Sequence, residues 1–167
     1  TIQYHDNEWC KPNFNDKYLF EMLILESFQA GLSWECVLNK REDFRKAFDN
    51  FDIDKICCYN NEKVQELLEN QKIIRNRLKI NATINNSRIF KQIQNEYGTF
   101  HNYLKVFTND KIIYEIDKTT NRLSDELSKD LKKRGMKFVG STITYSYLQA
   151  IGIIYSHDKE CFMYREI

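Results

Sequence analysis

Five glycines and one proline are all that punctuate a chain of 167 residues. Sheet-rich folds need clusters of turn-forming residues at short intervals, so a chain this poor in them is constrained to a mostly helical fold. Hydrophobic residues, at 42% with aromatics at 14%, supply one substantial core and predict a single domain over residues 1–167. The formal net charge of +1 provides no global field to draw in nucleic acid, so any such binding has to come from a local patch. No apolar run approaches the length of a membrane span and no secretory leader is evident, so no membrane partner is expected. The five cysteines are odd in number and, apart from Cys57-Cys58, widely scattered, which argues against a disulfide framework and for a reducing compartment.

Residues 16–34 depart from an ordinary amphipathic helix. Asp16 is suited to cap a helix, apolar residues follow with helical period, and Gly31 is suited to end it. Leu19, Met22, Leu23 and Ala30 share one arc of that helix, and Glu26 falls in the middle of it. A carboxylate there has to reach a solvated cleft, find donors or stay protonated, because burying it bare costs on the order of several kcal/mol. Taken alone, such a Glu is more often a rim residue or the partner of a core Arg. Here, however, Gly31-Leu-Ser33 breaks the helix and leaves Leu32 at a tight turn, and Ser33 caps a new helix with Trp34 in its first turn. A carboxylate, a protruding Leu and a large aromatic are thereby predicted to meet at one helix-helix corner.

Most remaining segments follow the same helical pattern. The opening Tyr4-His-Asp-Asn-Glu-Trp9 has no clean period and reads as a loop, with Trp9 a core anchor and His5, taken alone, an ordinary hydrogen-bonded residue. Residues 34–48 read as one helix, burying Val37, Leu38, Phe44 and Phe48 and turning Lys40, Arg41, Arg45 and Lys46 to solvent. Short helices are expected over 52–59 and 62–70, the second capped by Asn60 or Asn61. Ile73 and Ile74, followed by Arg75, Arg77 and Lys79, open a long helix running to Gly98; its cations suit an exposed turn or phosphate contact equally. Residues 100–107 form a short amphipathic helix, and 108–121 carry a loop or a weak strand.

Two further patterns carry chemistry. Ser124 caps a helix with acids at its start and cations at its end, and a short connection with Gly135 and Gly140 at its edges leads to a second helix from Ser141 to about Ile151. Such a helix-hairpin-helix, over about 124–152, lets backbone come close to a ligand and points amides at an anion, which on DNA is a phosphate. Lys132, Lys133, Arg134 and Lys137 add local positive charge. Near the end of the chain, His157 and Cys161 stand one helical turn apart and could present both side chains to one zinc ion, with His5 as a third ligand joining the two ends.

Four of these pieces stand in the order and spacing of a known family. Tyr4-His-Asp-Asn-Glu-Trp9, Leu25-Glu-Ser-Phe-Gln-Ala-Gly-Leu-Ser-Trp34 with Lys40-Arg-Glu42 after it, Lys132-Lys-Arg-Gly-Met-Lys-Phe-Val-Gly140, and His157-x3-Cys161 resemble the 3-methyladenine DNA glycosylase I family over essentially the whole chain. The resemblance implies an all-α, helix-hairpin-helix glycosylase that excises N3-methyladenine from alkylated double-stranded DNA in base excision repair and carries a structural zinc. It implies Glu26 as the base-reading carboxylate, Trp34 as the stacking aromatic and Tyr4 as the pocket tyrosine, with Trp9 also among the base-binding residues. Leu32 resembles the wedge that fills the gap of a flipped nucleotide, and Gly135, Lys137, Gly140 and Ser141 fall where the family binds DNA. His5, His157 and Cys161 match three zinc ligands within segments 1–10 and 155–167, and the family's fourth, a Cys, would lie upstream of residue 1. Cys10 stands where the family usually has Gly, as a substitute ligand or a buried thiol, and Leu78 replaces a common Gly beside the basic turn. A monomer in the cytoplasm is the corresponding expectation.

The chemistry of the residues agrees with that resemblance. Methylation at N3 makes adenine cationic, so the lesion is marked by charge and already activated to leave. Aromatic faces and a carboxylate select a cation, each face contributing on the order of 0.5–2 kcal/mol. An ionised Glu26 accepts from the adenine amino group, whereas guanine would present a carbonyl oxygen there. Ser141-Thr-Ile occupies the place where strand-cutting relatives carry a Lys, so an abasic site is the expected product. The competing expectations are a non-catalytic DNA-binding module with a zinc staple, and a glycosylase with a broader range of alkylated bases.

Overall fold

In the computed structural model, which describes residues 13–156, helix α1 (Asp16–Gln29) is buried from Leu19 through Phe28 on every side. A helix apolar all round has to lie inside a molecule, and the other elements are wrapped about this one. Tyr4, His5, Trp9 and Cys10, and likewise His157 and Cys161, lie outside the described residues. Asn15 caps α1 in place of Asp16, its side chain accepting from the Lys17 amide at 3.0 Å. Asp16 instead accepts from the Phe100 and His101 amides at 2.8 and 3.3 Å and from Gln94 at 2.8 Å. Its charge thus sits at the positive end of another helix, a use that short-range spacing does not show.

The expected helix 34–48 is broken at Lys40 into α2 (Trp34–Asn39) and α3 (Arg41–Ala47), with Val37, Phe44 and Phe48 buried and Leu38 half-buried. After a 3-10 turn at Asp49–Phe51 come α4 (Ile53–Cys57), capped by Asp52, and α5 (Asn61–Glu69), capped by Asn60. Helix α6 (Arg77–Tyr97) starts later than its apolar onset suggests, because Asn76 takes the cap position, and it ends at Gly98. Helix α7 (Phe100–Thr108) leads to strand β1 (Ile113–Tyr114). Helix α8 (Arg122–Lys133) opens with a capping box in which Asn121 is the cap and Ser124 the reciprocal partner. A connection over 134–140 leads to α9 (Ser141–Ala150) and then to β2 (Ile154–Tyr155). The fold is therefore mostly helical rather than all-α, since β1 and β2 pair in parallel with Ile113 opposite Ile154.

Helix α1 packs on α2, α6, α7 and α9. Its Phe20 meets Phe90 at 5.2 Å and its Phe28 meets Phe44 at 4.8 Å between ring centroids, and the Tyr147 hydroxyl of α9 donates to Leu19 O at 2.8 Å. Helices α8 and α9 pack on each other, so the connection between them is displayed from a rigid pair.

Candidate active site

Helix α1 carries two buried acids with opposite surroundings. Glu21 is 6% exposed and is held by Arg41 Nη2 at 2.8 Å and by Arg45 Nε and Nη2 at 2.6 and 3.0 Å. Burial alone would raise its pKa, but hydrogen bonds and charge from Arg45 and Arg41 outweigh that and hold it below the ordinary value. The two arginines are thus not a solvated face. The break at Lys40 sets them against α1, where they take the role of core partner that Glu26 was open to.

Glu26 is 4% exposed, and among the described residues nothing donates a hydrogen bond to its carboxyl group. Burial is the cause that pushes its pKa from 4.5 to about 8. It borders a cleft of about 180 Å³ lined by Glu26, Gln29, Trp34, Ser146 and Gln149. That is the scale of a small flat aromatic group, since cavities of about 150 Å³ take up benzene. A wider hollow of about 690 Å³, around Tyr18, Glu21, Arg45 and Asp49, does not include Glu26. Its one buried acid is already neutralised by arginines, so it lacks the unpartnered group that gives the smaller cleft its chemistry.

The corner forms as the sequence predicts. Gly31 has φ of +81°, a left-handed turn that other residues adopt only with strain, and Ser33 Oγ accepts from the Cys36 amide at 3.1 Å to start α2. Trp34 is thereby brought beside Glu26, and Leu32 projects at 38% exposure. Gln29 Nε2 latches the turn by donating to Leu32 O at 2.8 Å. Sequence reasoning missed Gln29, Ser146 and Gln149. Ser146 and Gln149 are spaced i, i+3 as the polar positions between buried Tyr145, Tyr147 and Leu148, a signal visible only once α9 is known to face α1.

The 134–140 connection lies against this corner, since Ser27 Oγ of α1 donates to Phe138 O at 3.3 Å. Asn86 of α6 grips Lys137 on both sides, accepting from its amide and donating to its carbonyl at 2.9 Å each, while Asn85 donates to Gly135 O at 2.9 Å. Ser128 and Thr144 both donate to Val139 O, at 2.7 and 3.0 Å. Lys132, Lys133 and Lys137 are exposed, but Arg134 is paired with Glu96 and Asp130, each at 2.8 Å. Helix α9 has no side-chain cap at Gly140, and the Ser141 hydroxyl is engaged by Asp125 and Ser124. The structure therefore brings Glu26 and Trp34 together on one cleft, with Leu32 at the adjacent turn, and sets helix α1 against the connection that carries Gly135, Lys137 and Gly140 through Ser27 and Phe138. Tyr4 and Trp9 lie outside the described residues. So do the expected zinc ligands, and among the described residues no group of three or more His, Cys, Asp or Glu could hold a metal ion.

A helical domain with a buried carboxyl group and an indole on a cleft sized for a small aromatic group, beside a lysine-bearing connection, has the parts of an enzyme that works on a base taken out of the stack. The sequence matches the methyladenine glycosylase family model over residues 1–164, and the chain belongs to that family. It is 44% identical over 170 aligned residues to DNA-3-methyladenine glycosylase 1 of Escherichia coli K12, covering 98% of this chain and 90% of the relative. A crystal structure of a 3-methyladenine DNA glycosylase I superimposes with a TM-score of 0.94 at 42% identity, covering 98% of this chain and 93% of that one. The 3-methyladenine DNA glycosylase I of Staphylococcus aureus, solved to explain 3-methyladenine recognition, superimposes with a TM-score of 0.92 at 33% identity, covering 96% and 88%.

Proposed function

We infer that this protein is a DNA glycosylase that hydrolyses the N-glycosidic bond of N3-methyladenine in alkylated duplex DNA. The observation that carries the reading is Glu26, a buried carboxyl group with no hydrogen-bond donor among the described residues, on a cleft of about 180 Å³. Such an acid is costly in the empty protein and is balanced only when a cation enters. The methylated base is that cation. Near neutral pH the empty site favours the protonated acid, and the entering base favours the carboxylate, which then accepts from the adenine amino group.

Trp34 and Tyr4, with Trp9, supply aromatic faces for the cationic ring. Leu32 fills the space the base leaves, and the connection with Gly135, Lys137, Gly140 and Ser141 holds the phosphates through backbone amides and one exposed lysine. Because the leaving group is already positively charged, discrimination rests on binding the extruded base. Water attacks the sugar and an abasic site remains. His5, His157 and Cys161 are three donors of the kind that suit structural zinc. In support, Asn13 N donates to Ile151 O at 3.2 Å, so the described chain has its start and its end side by side. Zinc there would tie the two ends together. No helix among the described residues is long and apolar enough to cross a membrane. A monomer acting on DNA in the cytoplasm is part of the same proposal.

The test is release of free base from methylated duplex DNA, resolving 3-methyladenine from 7-methylguanine by chromatography. Selective release of 3-methyladenine is expected. Release of both bases at similar rates would favour the broader alkyl-base enzyme, and release of neither by the folded, zinc-loaded protein would favour a DNA-binding module.

A further inference from the structure

Lys79 is placed against two ordinary preferences. It lies in the first turn of α6, at the positive end of its own helix, and it is only 7% exposed. Burial lowers its pKa. What holds it there is another helix. Its ammonium donates to Phe28 O at 2.8 Å and to Ala30 O at 2.6 Å, the last carbonyls of α1 before Gly31. Helix α1 has no basic residue in its own last turn, so the charge that complements its negative end comes from Lys79. The same ammonium lies 6.0 Å from the ring centroid of Phe138, in the connection between α8 and α9.

One buried cation therefore binds the end of the helix that carries Glu26 and faces the ring of Phe138 at cation–π range, a residue whose backbone holds a φ of +56°. Leu32 stands two residues beyond the carbonyl it binds. We propose that Lys79 is a positioning residue for base extrusion: it fixes the end of α1, and through it the Leu32 turn, relative to the DNA-facing connection, without touching base or DNA. This rests on the reading of the chain as a base-extruding glycosylase.

The variants are Lys79→Met, which keeps the length and removes charge and donors, and Lys79→Arg, which restores both; Lys79→Gln stands in if Lys79→Met is not folded at the assay temperature. Each is measured for single-turnover release of 3-methyladenine from methylated duplex and from methylated single-stranded DNA, for affinity toward free 3-methyladenine, and for the salt dependence of duplex binding. Lys79→Met is expected to lose up to about 100-fold on duplex, the scale of a misplacement on the order of 1 Å. It should regain most of that on single strands, where no partner has to be parted, and keep free-base affinity within about threefold. Lys79→Arg should recover a good part of the duplex rate. The salt slope should stay unchanged, since a phosphate-binding lysine would lower it by about 1. Equal losses on duplex, single strand and free base, or a wild-type rate on duplex, would overturn the positioning role, and a reduced salt slope would make Lys79 a DNA contact. Wild-type protein that releases no base from either DNA would overturn the glycosylase reading and this role with it.

Discussion

Glu21 and Glu26 show how one helix can bury two acids for different ends. Arg41 and Arg45 neutralise the first, while the second is left bare with its pKa raised to about 8. Between about pH 4.5 and 8 the folded protein binds more protons at Glu26 than the unfolded chain does, so this residue makes stability fall as pH rises through that window. Glu26→Gln removes the ionisation. It is therefore expected to raise the melting temperature by several degrees at pH 8.5, with the gain shrinking toward zero near pH 5. Thermal unfolding across that range checks this; a variant less stable than wild type at pH 8.5 would show that the carboxylate has a partner after all. The position of Glu26 inside an apolar arc was legible in the sequence, because helical spacing alone puts it there. The grip of Arg41 and Arg45 on Glu21 was not, because it depends on the break at Lys40, where no Gly or Pro marks a boundary.

At the scale of elements, the connection over 134–140 is held by side chains from outside it, chiefly Asn86. Asn86 is 1% exposed and pairs with both the amide and the carbonyl of Lys137, as a neighbouring strand would. Asn86→Ala should lower stability by about 2–3 kcal/mol, from two lost bonds and a buried gap, and weaken duplex binding because Lys137 loses its frame. Chemical denaturation and a binding titration check the two effects; unchanged values in both would mean that Ser27, Ser128 and Thr144 suffice. Element type was largely legible from periodicity and caps, as at Asn60 before α5 and Ser33 before α2. Exact starts were less so. Asn15 and Asp16 are both able to cap, and only the distant amides of Phe100 and His101 decide between them. The pairing of β1 with β2 joins segments some forty residues apart, and strands of two residues leave no alternation to read.

At the scale of the whole molecule, a chain of net charge +1 has to bind DNA through local geometry rather than a broad field. In the function proposed, three exposed lysines near one connection and an exposed Leu at an adjacent corner supply that geometry. The corner was legible as a unit because its residues are consecutive. The cleft was legible only in part, because Ser146 and Gln149 come from a helix more than a hundred residues further along. The proposed zinc tie gives a separate expectation. The protein should hold about one zinc, and chelation or His157→Ala should lower the melting temperature while leaving the order of base preference unchanged. Metal-free protein that melts where zinc-loaded protein melts would remove the tie. The central claim is tested most directly by the pH dependence of kcat/KM for 3-methyladenine release from methylated duplex, measured for wild type and Glu26→Gln between pH 6 and 9. The account predicts a wild-type rate that passes through half its maximum near pH 8, as free-enzyme Glu26 ionises, and levels off toward pH 9, and a variant about 100-fold slower with no such rise. A Glu26→Gln protein that matches the wild-type rate and pH profile would contradict it.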